Sequence, residues 1–450
     1  MAKKTSLFLC SECSYQTSKW LGRCPECGKW NTFSETAPSS IRSQNKKLNV
    51  SLKDLSELTN EAKNKYQTGI SEFDNVLGGG IVPGSLILLG GEPGIGKSTL
   101  LLQIVSHLSQ YGPILYNNGE ESAHQIKLRS QRLNLNENNI ILLESTGLDE
   151  IESSMIQVQP VGAVIDSIQT VYRPEVQGLP GSLTQIKEGA NLFLNLAKKR
   201  NIFIFLVGHV TKEGNIAGPK SLEHIVDVVL YLEGEKYDSF RILRTYKNRF
   251  GSTEEMGVFQ MTEQGIQEVT NPSEHFIQDY NPKYPGTTLS AIHEGSRPLL
   301  VEVQALVSST HFNFPRRMVD GTDVNKVHKL IAILEKALGI LLVQSDVYVN
   351  IAGGLRVKEP GIELAILMAI WFSFKKKSYN KKILFIGEVG LAGEIRGVKG
   401  IRHRVNEAFK LGIDTILVPK KNSSELSSFT NKKTLYYVAS IHEVIEFVSQ

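Results

Sequence analysis

From Ser85 onward, short apolar runs alternate with stretches of helical periodicity: SLILLG, a helix to about Ser109, PILYNN, a helix, IILLES, AVIDSI, a helix, and IFIFLVGHV. That alternation predicts a parallel sheet covered by helices. VDVVLYLEG, FRILRTYKNRF and MGVFQMT follow without intervening helices, so they read as meandering strands added to the sheet edge. Further on, LLVEVQALV, VYVNIAGG, ILFIGEVG and TILVP are strands mixed with helices over Asp323–Leu338 and Gly361–Phe374. Two stretches break the periodicity. Thr36–Lys47 (TAPSSIRSQNKK) is poor in apolar side chains, and Asn271–Gly286 is interrupted by Pro and Asn. The expected organisation is a small domain over 1–35, a linker over 36–50, an α/β core over 51–270, a second linker over 271–286 and an α+β domain over 287–450. No internal repeat is visible.

A chain of 450 residues has room for about three domains. Hydrophobic residues at 41% and charged residues at 21% exclude a disordered or fibrous chain. With 50 Lys plus Arg against 46 Asp plus Glu, any nucleic-acid contact has to come from local basic patches. The opening MAKKTSLFLC has too short an apolar stretch for a signal peptide, and runs such as Ala365–Phe372 are too short to cross a bilayer. These features read as a cytoplasmic protein with no membrane partner.

All four cysteines fall in the first 27 positions, as Cys10, Cys13, Cys24 and Cys27. Two C-x-x-C pairs can each offer two thiolates to one tetrahedral ion, which predicts a structural four-cysteine zinc ribbon with no open coordination position. A pair of disulfides is the alternative, and a reducing compartment disfavours it. Trp20 and Trp30 are expected to form the ribbon's small core.

Gly91–Ser98 reads GEPGIGKS, a G-x-x-x-x-G-K-[ST] match lying between a strand and a helix. Gly91, Glu92, Pro93, Gly94, Ile95, Gly96, Lys97, Ser98 and Thr99 are therefore the expected nucleotide-binding residues. The glycines let backbone amides turn inward onto phosphate, Lys97 neutralises the β and γ phosphates, and Ser98 ligates Mg²⁺. An apolar strand ending in Asp, AVIDS, supplies Asp166 as a second Mg²⁺-side carboxylate, with helix capping as its alternative role. Hydrolysis of ATP needs a base, and YNNGEES offers Glu120 and Glu121. Glu120 is favoured, while Glu121 suits a helix N-terminus.

The ribbon, GEPGIGKST, NNGEES, VIDSIQT, GHVTKEGNIAGPKSLEH and YKNRFGS, in that order, resemble the bacterial RadA (Sms) family over essentially the whole chain. The resemblance implies a RecA-like P-loop ATPase core between a zinc ribbon and a domain similar to the proteolytic domain of Lon. It implies a hexameric, DNA-dependent ATPase of recombinational DNA repair that drives branch migration with RecA on single-stranded and branched DNA. Glu120 then corresponds to the catalytic glutamate and His209 to a γ-phosphate sensor. The motif KNRFG is present as Lys247–Gly251, and Lys247 and Arg249 read as a finger acting in trans. Arg173, in the loop Tyr172–Gln185, and Lys212 and Lys220, in Thr211–Ser221, are the expected DNA contacts through phosphate. In the C-terminal domain Gly361 takes the place of the Lon-type serine, so Lys399 has no hydroxyl to activate and proteolysis is not expected. Arg316, Arg317, Arg402 and Arg404 are candidates for DNA-facing charge there. A RecA-like ATPase switch that regulates partner proteins without translocating is the alternative.

Overall fold

The computed structural model describes residues 7–10, 15–17, 19–36, 65–209, 222–234, 240–295, 297–310, 314–429 and 435–449. The chain forms two compact units, Met1–Ala62 and Lys63–Gln450.

In the first unit, β1 (Leu7–Cys10) pairs antiparallel with both β2 (Gln16–Thr17) and β3 (Phe33–Thr36). The expectation that Trp20 and Trp30 form its core is not met. They are 56% and 69% exposed and flank Gly22, with the Arg23 guanidinium over the Trp30 ring. Among the described residues of this unit the buried side chains are Cys10 and Cys24. A strand pairing of this size has too little interior for an indole, so the thiols take the centre.

The second unit begins with α1 (Ser71–Val76), β4 (Leu86–Gly91), α2 (Lys97–Leu108), β5 (Ile114–Asn118), α3 (Ala123–Arg132), β6 (Ile140–Leu143) and α4 (Leu148–Val158). It continues with β7 (Gly162–Asp166), α5 (Leu183–Arg200), β8 (Phe203–His209) and β9 (Val228–Glu233). The meander β10 (Phe240–Asn248), β11 (Met256–Thr262) and β12 (Gly265–Glu268) completes a nine-stranded sheet of order β12-β11-β10-β9-β4-β8-β7-β5-β6. Strands β9 to β6 in that order are mutually parallel, and β10, β11 and β12 join antiparallel, as the sequence pattern predicts. Every side chain of β4 is buried, because both faces of the sheet are covered. Ile87 and Leu89 pack with α2 on one face, and Leu86 and Leu88 pack with α4 and α5 on the other.

The segment 271–286 is packed, not a free tether: it forms α6 (Pro272–Phe276) and buries Phe276, Ile277 and Tyr280. Beyond it lie β13 (Thr287–Glu294), β14 (Arg297–Ser309), β15 (Arg317–Asp320), α7 (Val324–Leu338) and β16 (Ser345–Ile351). They are followed by α8 (Glu363–Lys375), β17 (Ile383–Phe385), β18 (Glu388–Val389), β19 (Ile395–Arg396), α9 (Ile401–Lys410), β20 (Thr415–Pro419), β21 (Leu435–Val438) and α10 (Ile441–Ser449). Seven strands form a mixed sheet, β15-β16-β14-β13-β17-β20-β21. Helix α8 is apolar on every side because it is the centre of this core. Among the described residues no helix is long and apolar enough to cross a membrane.

The two sheets share one hydrophobic cluster, in which Ile242, Met256 and Val258 meet Leu299, Val301 and Val327. Two ion pairs cross the junction: Arg297 bonds the buried Glu72 at 2.8 Å, and Arg244, which also holds Glu233 of its own sheet, bonds Glu294 at 2.6 Å.

Candidate functional site

Strand register gathers the expected nucleotide residues at one sheet edge. Gly91 ends β4 opposite His209 at the end of β8, and Asn118 ends β5 opposite Asp166 at the end of β7. Open α/β sheets bind ligands beyond the carboxyl ends of their strands. The loop between β4 and α2 needs its glycines. Gly94 and Gly96 have φ of 79° and 116°, and a Cβ on Gly96 would lie 2.7 Å from Met261 Cε.

Lys97 opens α2 and is buried, with Nζ donating to the carbonyls of Gly91 and Glu92, both at 2.9 Å. Burial pushes its pKa down to about 8, partly opposed by the charges of Asp166 and Glu120. Asp166 is 5% exposed. Burial raises its pKa, while hydrogen bonds from Ser98 and Tyr116 work the other way; the Tyr116 hydroxyl donates at 3.0 Å. The edge therefore holds a buried cation and a buried anion that lack a full complement of charge, which is the electrostatic condition for taking up a polyphosphate with a divalent cation. Ser98 and Asp166 fit Mg²⁺ on this ground: both are oxygen donors, and Asp166 is a carboxylate with few protein partners.

Glu120 follows the turn after β5. Its backbone NH bonds Asn118 Oδ1 at 3.1 Å, and its carboxylate Oε1 meets both Ser167 Oγ at 2.6 Å and His209 Nε2 at 3.1 Å. Glu121 turns away to an ion pair with Arg129 of α3, whose N-terminus is capped by a Ser122–Gln125 capping box. Thus Glu120 faces the phosphate edge and Glu121 stabilises the helix.

Lys247 and Arg249 lie at the other end of the sheet. Asn248 pairs with Val228, and Val228 with Ile87 near the start of β4, four positions before the phosphate loop. At about 3.3 Å per residue the separation along the strand exceeds 10 Å. Lys247 Nζ donates to the carbonyls of Glu223 at 2.6 Å and Val226 at 2.7 Å, and desolvation lowers its pKa. Arg249 pairs with Asp227 at 3.3 Å, and Lys198 holds the other oxygen of the same buried carboxylate at 2.6 Å.

Arg173 is enclosed by Asp149 at 2.7 Å, Glu188 at 2.8 Å and Glu152 at 3.8 Å, so its charge is compensated within the chain. Lys212 and Lys220 lie outside the described residues.

In the first unit the Sγ atoms of Cys10, Cys24 and Cys27 lie within 4.8 Å of one another; Cys13 is outside the described residues. Cys10 and Cys27 stand 3.8 Å apart, far beyond the ~2.05 Å of a disulfide. Converging thiols on tight turns, with Gly28 NH bonded to the Cys24 carbonyl at 2.9 Å, suit zinc.

In the C-terminal domain a Cβ on Gly361 would sit 2.6 Å from Glu359 Oε1 and 3.1 Å from Arg404 NH1, so a side chain at this position would have to displace the ends of that ion pair. The expectation that Arg404 faces DNA is overturned. It is 2% exposed and pairs bidentately with Glu359 at 2.6 and 2.8 Å, because a buried guanidinium must be matched. Arg317 is likewise occupied, donating to the Leu342 carbonyl at 3.0 Å and to that of Ser345, and Arg402 bonds the Glu425 carbonyl. Exposed lysines missed in the sequence instead cluster at the end of α8 and just beyond it. Lys375, Lys376, Lys377, Lys381 and Lys382 are exposed, make no ion pair among the described residues, and stand beside aromatics, with Lys377 5.6 Å from the Trp371 ring centre.

Three families match parts of the chain: the rubredoxin metal binding domain at residues 8–35, the AAA domain at 53–215 and subunit ChlI of Mg-chelatase at 321–422. The DNA repair protein RadA of Halalkalibacterium halodurans is 48% identical over 94% of each chain, and that of Bacillus subtilis is 47% identical over 94% of each. The chain belongs to the RadA family of DNA repair proteins. It is a RecA-like P-loop ATPase with a zinc-binding cysteine cluster and a ChlI- and Lon-like C-terminal domain. A RadB recombinase structure covers 45% of the chain at 24% identity and a TM-score of 0.37. Family membership assigns the phosphate loop its substrate, ATP; Tyr116 and Ser167, which the sequence pattern did not single out, hydrogen-bond Asp166 and Glu120 at this edge.

Proposed function

We propose that this RadA-family ATPase is a hexameric motor on single-stranded or branched DNA that promotes branch migration of recombination intermediates together with RecA. The observation that carries the reading is the separation of the two halves of the hydrolytic machinery. The phosphate loop, Asp166, Glu120 and His209 share one sheet edge, while Lys247 and Arg249 sit at the other end of the same sheet. Cations so placed cannot reach their own nucleotide, so a neighbouring subunit must deliver them, which a ring does.

In this reading Glu120 accepts a proton from water as the water oxygen bonds the γ phosphorus. The bond from that phosphorus to the β–γ bridging oxygen breaks, and its electron pair leaves with ADP. Lys97 and the amides of 91–98 hold the phosphates, and Ser98 and Asp166 would hold Mg²⁺, which would supply charge neutralisation there. His209 reports γ-phosphate occupancy to the adjoining segment 211–221, whose Lys212 and Lys220 contact DNA phosphates; Arg173, neutralised by Asp149, Glu152 and Glu188, is left out of that contact. The lysines of 375–382 extend that contact to the C-terminal domain. The ribbon, residues 1–35, is the surface for RecA; 51–270 form the ATPase domain and 287–450 the non-proteolytic domain, joined through 36–50 and 271–286.

ATPase rate with and without single-stranded DNA at low salt, together with mass in solution with nucleotide, tests the reading. Stimulation in a ring-sized assembly supports it. A monomer whose turnover ignores DNA refutes the motor and favours a switch acting on partner proteins.

A further inference from the structure

We infer that Ser167 is a positioning residue for ATP hydrolysis, holding the Glu120 carboxylate so that one oxygen is committed to the protein and the other is left for water. The inference rests on the reading of Glu120 as the base. Ser167 is fully buried immediately after Asp166, and its Oγ lies 2.6 Å from Glu120 Oε1. His209 Nε2 approaches that same oxygen at 3.1 Å. Among the described residues Glu120 Oε2 has no hydrogen-bond partner. Two donors on one oxygen fix the carboxylate plane and leave the second oxygen to accept a proton.

A merely structural role for this serine is poorly supplied with contacts. The turn after β7 is closed through the Ser167 carbonyl, which accepts from Thr170 N at 3.2 Å and Thr170 Oγ1 at 2.8 Å. The hydroxyl does no part of that work, and its acceptor is Glu120. Removing it leaves the turn's bonds in place and frees the carboxylate to rotate about its side-chain torsions. The Asp166 position is anchored separately by Tyr116 and by the strand ladder.

Steady-state ATPase kinetics of the full-length chain test the assignment with Ser167→Ala, Glu120→Gln and the double variant, each checked by its thermal melt. A hydrogen bond to a charged group is worth enough that Ser167→Ala should lower kcat about ten- to a hundredfold, with KM for ATP changed less than about twofold. In the Glu120→Gln background the serine substitution should cost nothing further, because the group it positions is gone. Ser167→Cys, similar in size with a weaker donor, should fall between. Unchanged kcat in Ser167→Ala, or an equal loss in both backgrounds, overturns the inference. If Glu120→Gln itself turns over normally, the base assignment fails instead. A severe loss in Glu120→Gln with a normal Ser167→Ala sinks only the positioning role.

Discussion

The sharpest quantitative consequence concerns Lys97. Its ammonium is buried against the Gly91 and Glu92 carbonyls, and desolvation brings its pKa from 10.5 to about 8. A lysine with a depressed folded-state pKa destabilises the nucleotide-free protein while it stays charged. That cost, about 3 kcal/mol at neutral pH, is fully present below about pH 8 and is relieved as pH rises toward the unfolded value. Polyphosphate reverses the balance by surrounding the ammonium with negative oxygens and restoring an ordinary lysine pKa. Nucleotide binding should then take up close to one proton at about pH 9, and Kd should rise about tenfold between about pH 7 and about pH 9. Calorimetric titration of a non-hydrolysable ATP analogue in buffers of differing ionisation enthalpy measures both quantities. Lys97→Arg, which stays charged over this range, serves as the pH-insensitive control. A Kd flat over this interval with no proton uptake would refute the claim that the loop holds a desolvated ammonium awaiting phosphate.

Three further outcomes follow from the same geometry. Lys247→Ala and Arg249→Ala should each leave nucleotide binding intact and lower turnover by about a hundredfold or more. Mixing either with Lys97→Ala subunits in equal amounts should restore about a quarter of the interfaces if the cations act across a boundary, and none if they act in cis. Replacing Lys375, Lys376 and Lys377 together with Ala should weaken DNA binding at low salt and flatten the dependence of log Kd on log salt by about 0.9 for each phosphate no longer neutralised; an unchanged slope would remove this surface from the DNA path. Stripping zinc with a chelator should abolish the folded ribbon while leaving the melting of 63–450 and the basal ATPase unaltered, as read by calorimetry and metal analysis, and loss of the ATPase would show that the two units depend on each other.

The sequence made the core sheet legible because its strands are buried on both faces and so lack polar residues, and GEPGIGKS is constrained at several positions at once. Asp166 was legible for a related reason, as a charge at the end of an apolar run. Tyr116 and Ser167 were not, since a tyrosine in a strand and a serine after it are common, and only register brings Tyr116 to Asp166 and Ser167 to Glu120. Arg404 and Arg317 misled for the converse reason. An arginine in a sequence carries charge in either setting, and whether that charge meets solvent or a buried carboxylate is decided by segments distant along the chain, here Glu359 for Arg404. Trp20 and Trp30 failed as core residues because, among the described residues of this unit, the buried positions are taken by the thiols of Cys10 and Cys24.

The partners of the KNRFG cations bear on how such a finger can work. Asp227 is buried, and stripping it of its only cation would leave an unpaired carboxylate costing several kcal/mol. It has two cations, however: Arg249 on Oδ1 and Lys198 on Oδ2, and its Oδ2 also accepts from the backbone NH of Leu86. If Arg249 is to leave for a neighbour's phosphates, as the proposed function requires, Lys198 and the Leu86 NH would keep the carboxylate satisfied. Lys247 would leave behind two neutral carbonyls, of Glu223 and of the fully buried Val226, rather than an unpaired charge. On the proposed reading, the residue that lets Arg249 leave without stranding a buried charge is Lys198, which holds the other oxygen of Asp227. Lys198→Ala should strand Arg249 on Asp227 and lower turnover without changing nucleotide affinity, whereas Lys198→Arg, which keeps the charge, should retain turnover; equal activity in Lys198→Ala and the parent would show that Asp227 does not restrain the finger.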